Sequence, residues 1–361
     1  MDFHLISSVF ETLRLAPPPK LILLEAQTVA SAHVPPYPPD MPALITNVDS
    51  LEITLQVKKV LLTIYPAEHN ALLVEGGKRK EERLGELSGD TFGEKVCLYV
   101  PALGEGTSFE SFAEIVAHLR APDGCPWDKE QTHESLRKHL LEESYEAIAA
   151  IDSGDFNSMR EEFGDLLLQV VLQSQIANDE NQFNVNQVIH GIHSKIVRRH
   201  PHVFGDLKLD GVDGVLANWE KLKEKERGKR KDGKGLLDGV PLALPALSQA
   251  QEYQDRAARV GFDWPEVEGV LDKIKEEIEE IKNAETDFEL ASEIGDLLFA
   301  MVNLARWKKV DAESVLRGTN AKFKKRFAYV ERGAKKQGRN LSELSLEEME
   351  SLWNAGKKQG L

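Results

Sequence analysis

Apolar and polar residues change rhythm partway along the chain. In the first hundred residues the apolar positions form short runs, KLILLEA (20–26), SLEITLQV (50–57), KVLLTIYP (59–66), NALLVEG (70–76) and EKVCLYV (94–100). Runs of this length, bounded by turn formers, predict strands. Ten of the sixteen prolines lie within residues 1–101, and Pro17–Pro19 and the PPYPPDMP stretch at 35–42 mark loops. The reading is a small α+β domain. From about residue 108 the period becomes helical: Phe163, Leu166, Leu167, Val170 and Val171 fall at i, i+3, i+4, i+7 and i+8. Ile294, Leu297, Leu298, Met301 and Val302 repeat that stripe 131 residues later.

The repetition extends beyond one helix. GCPW (124–127) answers GFDW (261–264), EESYE (142–146) answers EEIEE (276–280), EFGDLL (162–167) answers EIGDLL (293–298), and Lys195 with Arg199 answers Lys322 with Arg326. The expected fold is therefore mainly α: two tandem all-α helical-bundle repeats preceded by the small α+β domain. Expected boundaries are 1–104 for that domain, 108–227 for the first repeat, 228–245 for a linker and 246–361 for the second repeat.

Charge narrows the function. With 45 Lys+Arg against 60 Asp+Glu, the chain of 361 residues carries −15, which argues against direct nucleic-acid binding. Its basic stretch KLKEKERGKRKDGK (221–234) reads as a solvated linker or as an attraction for an anionic partner. Two cysteines, no basic n-region before a long apolar core and no eighteen-residue apolar run predict a cytoplasmic protein with no membrane partner.

The candidate chemistry is acidic. Residues three apart share a helix face, so Glu143 pairs with Glu146 and Glu162 with Asp165. The second copy offers Glu277 with Glu280 and Glu293 with Asp296. Each second pair is set in the apolar stripe, at the expected border of a packed face. Carboxylates gathered there repel one another unless a cation neutralises them. The second copy has no His and no Cys, which excludes nitrogen or sulfur zinc ligation there. All-oxygen coordination suits Mg²⁺ or Mn²⁺, and such ions take up substrate phosphates. Lys322 and Arg326, one turn apart, are suited to grip those phosphates, or are plain surface basics. Trp127 and Trp264, just ahead of each acidic helix, pack against helices or stack on a base.

These segments resemble a known family. EExxE followed by ExxD is similar to the all-α nucleoside triphosphate pyrophosphohydrolase superfamily, and GCPWDKEQT, RRHPHVFGD, NWEKLKEKER, VGFDW and GDLLFAMVNLAR resemble its MazG family over residues 108–361. The resemblance implies Mg²⁺-dependent cleavage of nucleoside triphosphates between the α- and β-phosphates, broad in base preference, by a homodimer. It implies that the second copy carries the activity, with Glu277, Glu280, Glu293 and Asp296 as metal ligands and Asn303, Lys322 and Arg326 on substrate. Glu276 stands behind the ligands or positions water. The first copy keeps Glu143, Glu146, Glu162, Asp165, Lys195 and Arg199 but has Leu172 where Asn303 is expected, so it predicts metal binding without assured turnover. Alternatives are a narrower pyrophosphatase acting on dUTP, dCTP or phosphoribosyl-ATP, and a non-catalytic nucleotide-sensing module. Residues 1–104 resemble the C-terminal subdomain of tetrapyrrole methylases without their Gly-rich cofactor segment, implying a remnant without methyltransferase activity.

Overall fold

The computed structural model describes residues 3–88, 96–215, 218, 219, 222 and 235–361. Two compact units divide the chain at residue 198.

The first unit opens with a five-stranded sheet in the order β1-β2-β5-β3-β4. These strands are β1 (Ile22–Glu25), β2 (Ala43–Thr46), β3 (Asn70–Glu75), β4 (Lys78–Arg83) and β5 (Cys97–Val100). β1 and β2 run parallel, and every other pairing is antiparallel. Alternation along β5 builds two cores. Cys97 and Tyr99 face Phe10 and Leu13 of α1 (Phe3–Leu13), while Leu98 and Val100 face α2 (Ala26–Ala30) and α3 (Leu51–Leu61).

Two expected strands are instead one helix. Alternation over 50–57 mimics a strand, but Thr54, Val57, Val60 and Leu61 are the buried positions and follow a helical period. The Ser50 side chain caps it by accepting from the Ile53 amide at 3.3 Å. Conversely β4, KRKEER, carries no apolar signal because it is a charged edge strand, a composition that blocks further pairing.

The first helical repeat contains α4 (Phe109–Arg120), α5 (Pro126–Glu130), α6 (Arg137–Ser153), α7 (Phe156–Asp179) and α8 (Val185–Arg199). Gly154, at φ 70°, ends α6, and Asp155 opens α7 by accepting from the Asn157 amide at 2.9 Å, so the two helices turn back on each other. Val116, Leu136, Val171, Leu172 and Ile176 form the core. The stripe expected to pack behaves differently: Phe163, Leu167 and Val170 stay nearly half exposed, because α4 packs on the neighbouring face of α7.

After α9 (Pro201–Phe204), the second unit holds α10 (Ala246–Arg259), α11 (Val267–Asn283), α12 (Asp287–Trp307), α13 (Ala312–Lys336) and α14 (Leu346–Lys358). A Thr286–Glu289 capping box starts α12 just after α11 ends, giving a hairpin like that of α6 and α7. The basic stretch 221–234 lies outside the described residues apart from Leu222, as does the first part of the expected linker. The rest is held down, since buried Arg256 of α10 donates to the carbonyls of Asp238 at 3.0 Å and of Leu236 at 3.4 Å. Among the described residues no helix is long and apolar enough to cross a membrane.

Candidate functional site

Each helix hairpin brings its carboxylates together. In the second repeat, one oxygen each of Glu277 and Glu280 on α11 and Glu293 on α12 lie within 4.8 Å of one another. Asp296 sits one turn after Glu293, and its charge reaches that residue. Loss of hydration, then the charges of Glu280, Asp296 and Glu277, push the Glu293 carboxyl above its ordinary pKa. Glu277 is 2% exposed; one of its oxygens meets Lys273 Nζ at 2.6 Å, and the other, Oε2, is buried without a hydrogen-bond partner. An unpaired buried carboxylate oxygen beside two further carboxylates fits a hard divalent cation, which supplies the missing positive charge. Lys273 also bonds Glu276 Oε1 at 2.8 Å, so Glu276 and Glu277 share one cation.

Beside this cluster opens a cavity of about 340 Å³. Glu277, Asp296 and Lys273 form its charged end, Tyr253, Phe262, Trp264 and Phe299 its aromatic walls, and Gln254, Asn303 and Arg306 its polar features. Trp264 is 41% exposed, a wall rather than a core aromatic. It lies over Gly269, where any Cβ would overlap the indole. Of the residues singled out in the sequence, Asn303 joins the cavity; Lys322 and Arg326 do not line it. Arg326 donates from Nε to the Leu361 carbonyl at 2.6 Å and lies over the Trp353 ring, 5.7 Å from its centroid.

The first repeat gathers Glu143, Glu146 and Glu162 in the same way, within 4.8 Å. Desolvation raises the Glu143 and Glu162 carboxyls, and acidic neighbours including Asp165 add to it. Two positions differ in bulk. Buried Gln169 and Leu172 stand where α12 carries Ala300 and Asn303. Lys195 is exposed on α8, and Arg199 ends that helix.

Lys273, Gln254, Asp263 and Arg306 were not singled out by the sequence. Lys273 was legible in principle as the cation four residues before Glu277, but it lies in a Lys- and Glu-rich helix where such spacing is common. The others depend on contacts between distant segments.

Comparison with known proteins gives the family. The model of the MazG nucleotide pyrophosphohydrolase domain matches twice, over residues 131–204 and 266–330. The chain is 44% identical to a Thermotoga maritima protein named nucleoside triphosphate pyrophosphohydrolase/pyrophosphatase MazG, over 70% of this chain and 96% of that one. It is 45% identical to an Escherichia coli nucleoside triphosphate pyrophosphohydrolase, over 68% of this chain and 95% of the relative. A Bacillus subtilis protein, the uncharacterized YabN, is 44% identical over 84% of this chain, so that match reaches ahead of the helical repeats; the chain spans 64% of YabN. With both hairpins matched and nearly the whole of two such relatives covered, the chain belongs to the MazG nucleotide pyrophosphohydrolase family and is a hydrolase of that class.

Proposed function

We propose that the second repeat hydrolyses nucleoside triphosphates between the α- and β-phosphates, giving a monophosphate and pyrophosphate, with Mg²⁺ as the resident ion and Mn²⁺ as a substitute. The observation that carries this is the Glu277–Glu280–Glu293 cluster, with its orphaned Glu277 oxygen, at one end of a cavity with aromatic walls. Glu277, Glu280, Glu293 and Asp296 would hold the ion. When bound, it supplies charge stabilisation at the phosphates and lowers the pKa of a water. Lys273 holds one Glu277 oxygen and orients its carboxylate, and is itself held protonated by Glu276 and Glu277. Asn303 and the aromatic walls receive the nucleoside, while Lys322 and Arg326, on α13, take phosphates that extend beyond the cavity. The expected breadth in base preference rests on the walls, which offer π-faces that any base can use.

The first repeat is proposed to bind the same ion through Glu143, Glu146, Glu162 and Asp165, with Lys195 and Arg199 nearby in sequence, but to turn over poorly because Gln169 and Leu172 take the place of Ala300 and Asn303. Homodimerisation is proposed from the half-exposed apolar stripes of α7 and α12, which a second copy would cover. A cytoplasmic location and a vestigial N-terminal domain complete the reading. The test is product analysis: protein, Mg²⁺ and each dNTP should yield dNMP and pyrophosphate, whereas diphosphate and orthophosphate would overturn the bond assignment.

A further inference from the structure

Two amides at the cavity are each held in one orientation by a partner whose chemistry leaves no choice. Arg306 can only donate, and its Nε meets Asn303 at 2.9 Å, so the atom facing it is Oδ1. The Asn303 amide nitrogen therefore points away from Arg306. Arg306 is in turn fixed by Asp263, whose Oδ1 accepts from Arg306 Nη2 at 2.6 Å and from Trp307 Nε1 at 3.1 Å. Burial alone would raise the Asp263 carboxyl, but these bonds outweigh it and hold it below the ordinary range, ionised. On α10, Gln254 lies 2.8 Å from the Phe299 carbonyl, which can only accept, so the Gln254 nitrogen faces it. Its Oε1 is left buried without a partner in a residue only 8% exposed that lines the cavity.

The cavity thus carries one pinned donor and one orphaned acceptor. Asn303 lies on the same face of α12 as Asp296 but two turns on, about 10 Å along the axis. That separation resembles the span from the phosphates of a nucleotide to its base. The first repeat supplies an internal contrast: Pro126, Leu172 and Gln175 occupy the positions of Asp263, Asn303 and Arg306, so all three members of the clamp are absent together.

We propose that this cavity is a nucleobase site in which Gln254 is a specificity-determining acceptor and Arg306, held by Asp263, is a positioning residue that fixes Asn303 as a donor. The proposal deepens the reading of the second repeat as the hydrolytic site and rests on it. The ligand class follows from the polarity of the pair. Each common base carries an N–H beside a ring nitrogen or carbonyl oxygen on its pairing edge, so a fixed acceptor and donor admit all of them. A phosphate chain that lacks a base gains nothing from either group, so their effect appears only with a nucleotide.

The test compares dNTP turnover with competitive inhibition by magnesium tripolyphosphate, which has phosphates and no base. Wild-type turnover to monophosphate and pyrophosphate is the control; its absence would refute the hydrolytic reading itself. Given that turnover, Arg306→Met should raise KM for every dNTP by about tenfold, the worth of one ordinary hydrogen bond, with kcat and tripolyphosphate inhibition unchanged. Gln254→Met should do the same independently of the clamp. In an Asn303→Leu background Arg306→Met should add nothing, since it acts through Asn303. Arg306→Lys, which keeps the charge beside Asp263, should fall between wild type and Arg306→Met. An unchanged KM, an equal rise in both backgrounds, or loss of tripolyphosphate inhibition together with dNTP binding would overturn the proposal; the last would place Arg306 on the phosphate side or in the fold.

Discussion

Gly269→Ala is the sharpest probe of the aromatic wall. Gly269 is the third residue of α11, and a Cβ there would come within 2.8 Å of Trp264 Cγ and 2.9 Å of Nε1, closer than side chains tolerate. The obstacle is a ring that is 41% exposed, so it can swing outward instead of forcing the helix apart. Replacing glycine inside a helix contributes about 1 kcal/mol, and overpacking costs about 1–3 kcal/mol, so the net loss of stability should not exceed about 2 kcal/mol. For a unit of this size that lowers Tm by at most about 8 °C. The effect on substrate should be larger. Stacking on an aromatic side chain is worth about 1–3 kcal/mol per base, so displacing the indole should raise KM for dNTPs by about 5- to 150-fold. The acidic cluster lies further along α11, so kcat should stay within a factor of about two and tripolyphosphate inhibition should be unaltered. Steady-state kinetics across the four dNTPs, with calorimetry of the same samples, reads all three quantities. An unchanged KM accompanied by the Tm loss would show Trp264 to be helix packing alone and refute the stacking assignment.

Further outcomes concern the carboxylates. Glu293→Gln or Asp296→Asn, with the first repeat also disabled by Glu162→Gln, should lower turnover by more than about a hundredfold while circular dichroism without divalent ion stays that of the folded protein; normal turnover would remove these residues from the site. Mg²⁺ at a hundred times its Kd should stabilise each occupied hairpin by about 2.7 kcal/mol in thermal scans, and Glu277→Gln should abolish the gain in the second unit. In ion-free protein, burial and acidic neighbours hold Glu143, Glu162 and Glu293 above the ordinary carboxylate range. The folded state therefore binds protons more readily than the unfolded state at these positions. Their contribution is favourable below the ordinary glutamate pKa of about 4.3 and is lost as pH rises through the raised values. Asp155 and Glu348, held low by their hydrogen bonds, act in the opposite sense at more acid pH, so the readout is wild type minus Glu293→Gln. Saturating Mg²⁺ should reverse that difference at neutral pH, because wild type then gains the ion's binding energy and the variant gains less; an unchanged difference would count against ion binding at Glu293.

What the sequence disclosed and what it hid have physical explanations. The helix hairpins were legible because an i, i+3 carboxylate pair and a 3.6-residue apolar stripe are local patterns, and their duplication made coincidence implausible. The helix at Leu51–Leu61 was hidden because Leu51, Ile53, Leu55 and Val57 alternate like a strand, although Leu51 and Leu55 end up exposed. β4 was hidden because an edge strand buries little and can be wholly charged. Asn303 entered through family resemblance, but the groups that orient it did not: Asp263 and Arg306 lie 43 residues apart and meet only when α12 folds back beside the segment ahead of α11. Likewise, Gln254 reads as one glutamine of an amphipathic helix, and only its orphaned oxygen marks it out.

The central claim, that these acidic helices gather around a hard divalent ion which receives a triphosphate, is tested most directly by anomalous diffraction from crystals grown with Mn²⁺ and an α,β-methylene dNTP. The account predicts manganese density enclosed by Glu277, Glu280, Glu293 and Asp296, bridged to phosphate oxygens, with the base between Gln254 and Asn303. Saturating Mn²⁺ that leaves those four carboxylates bare, or a nucleotide bound away from them, would contradict it.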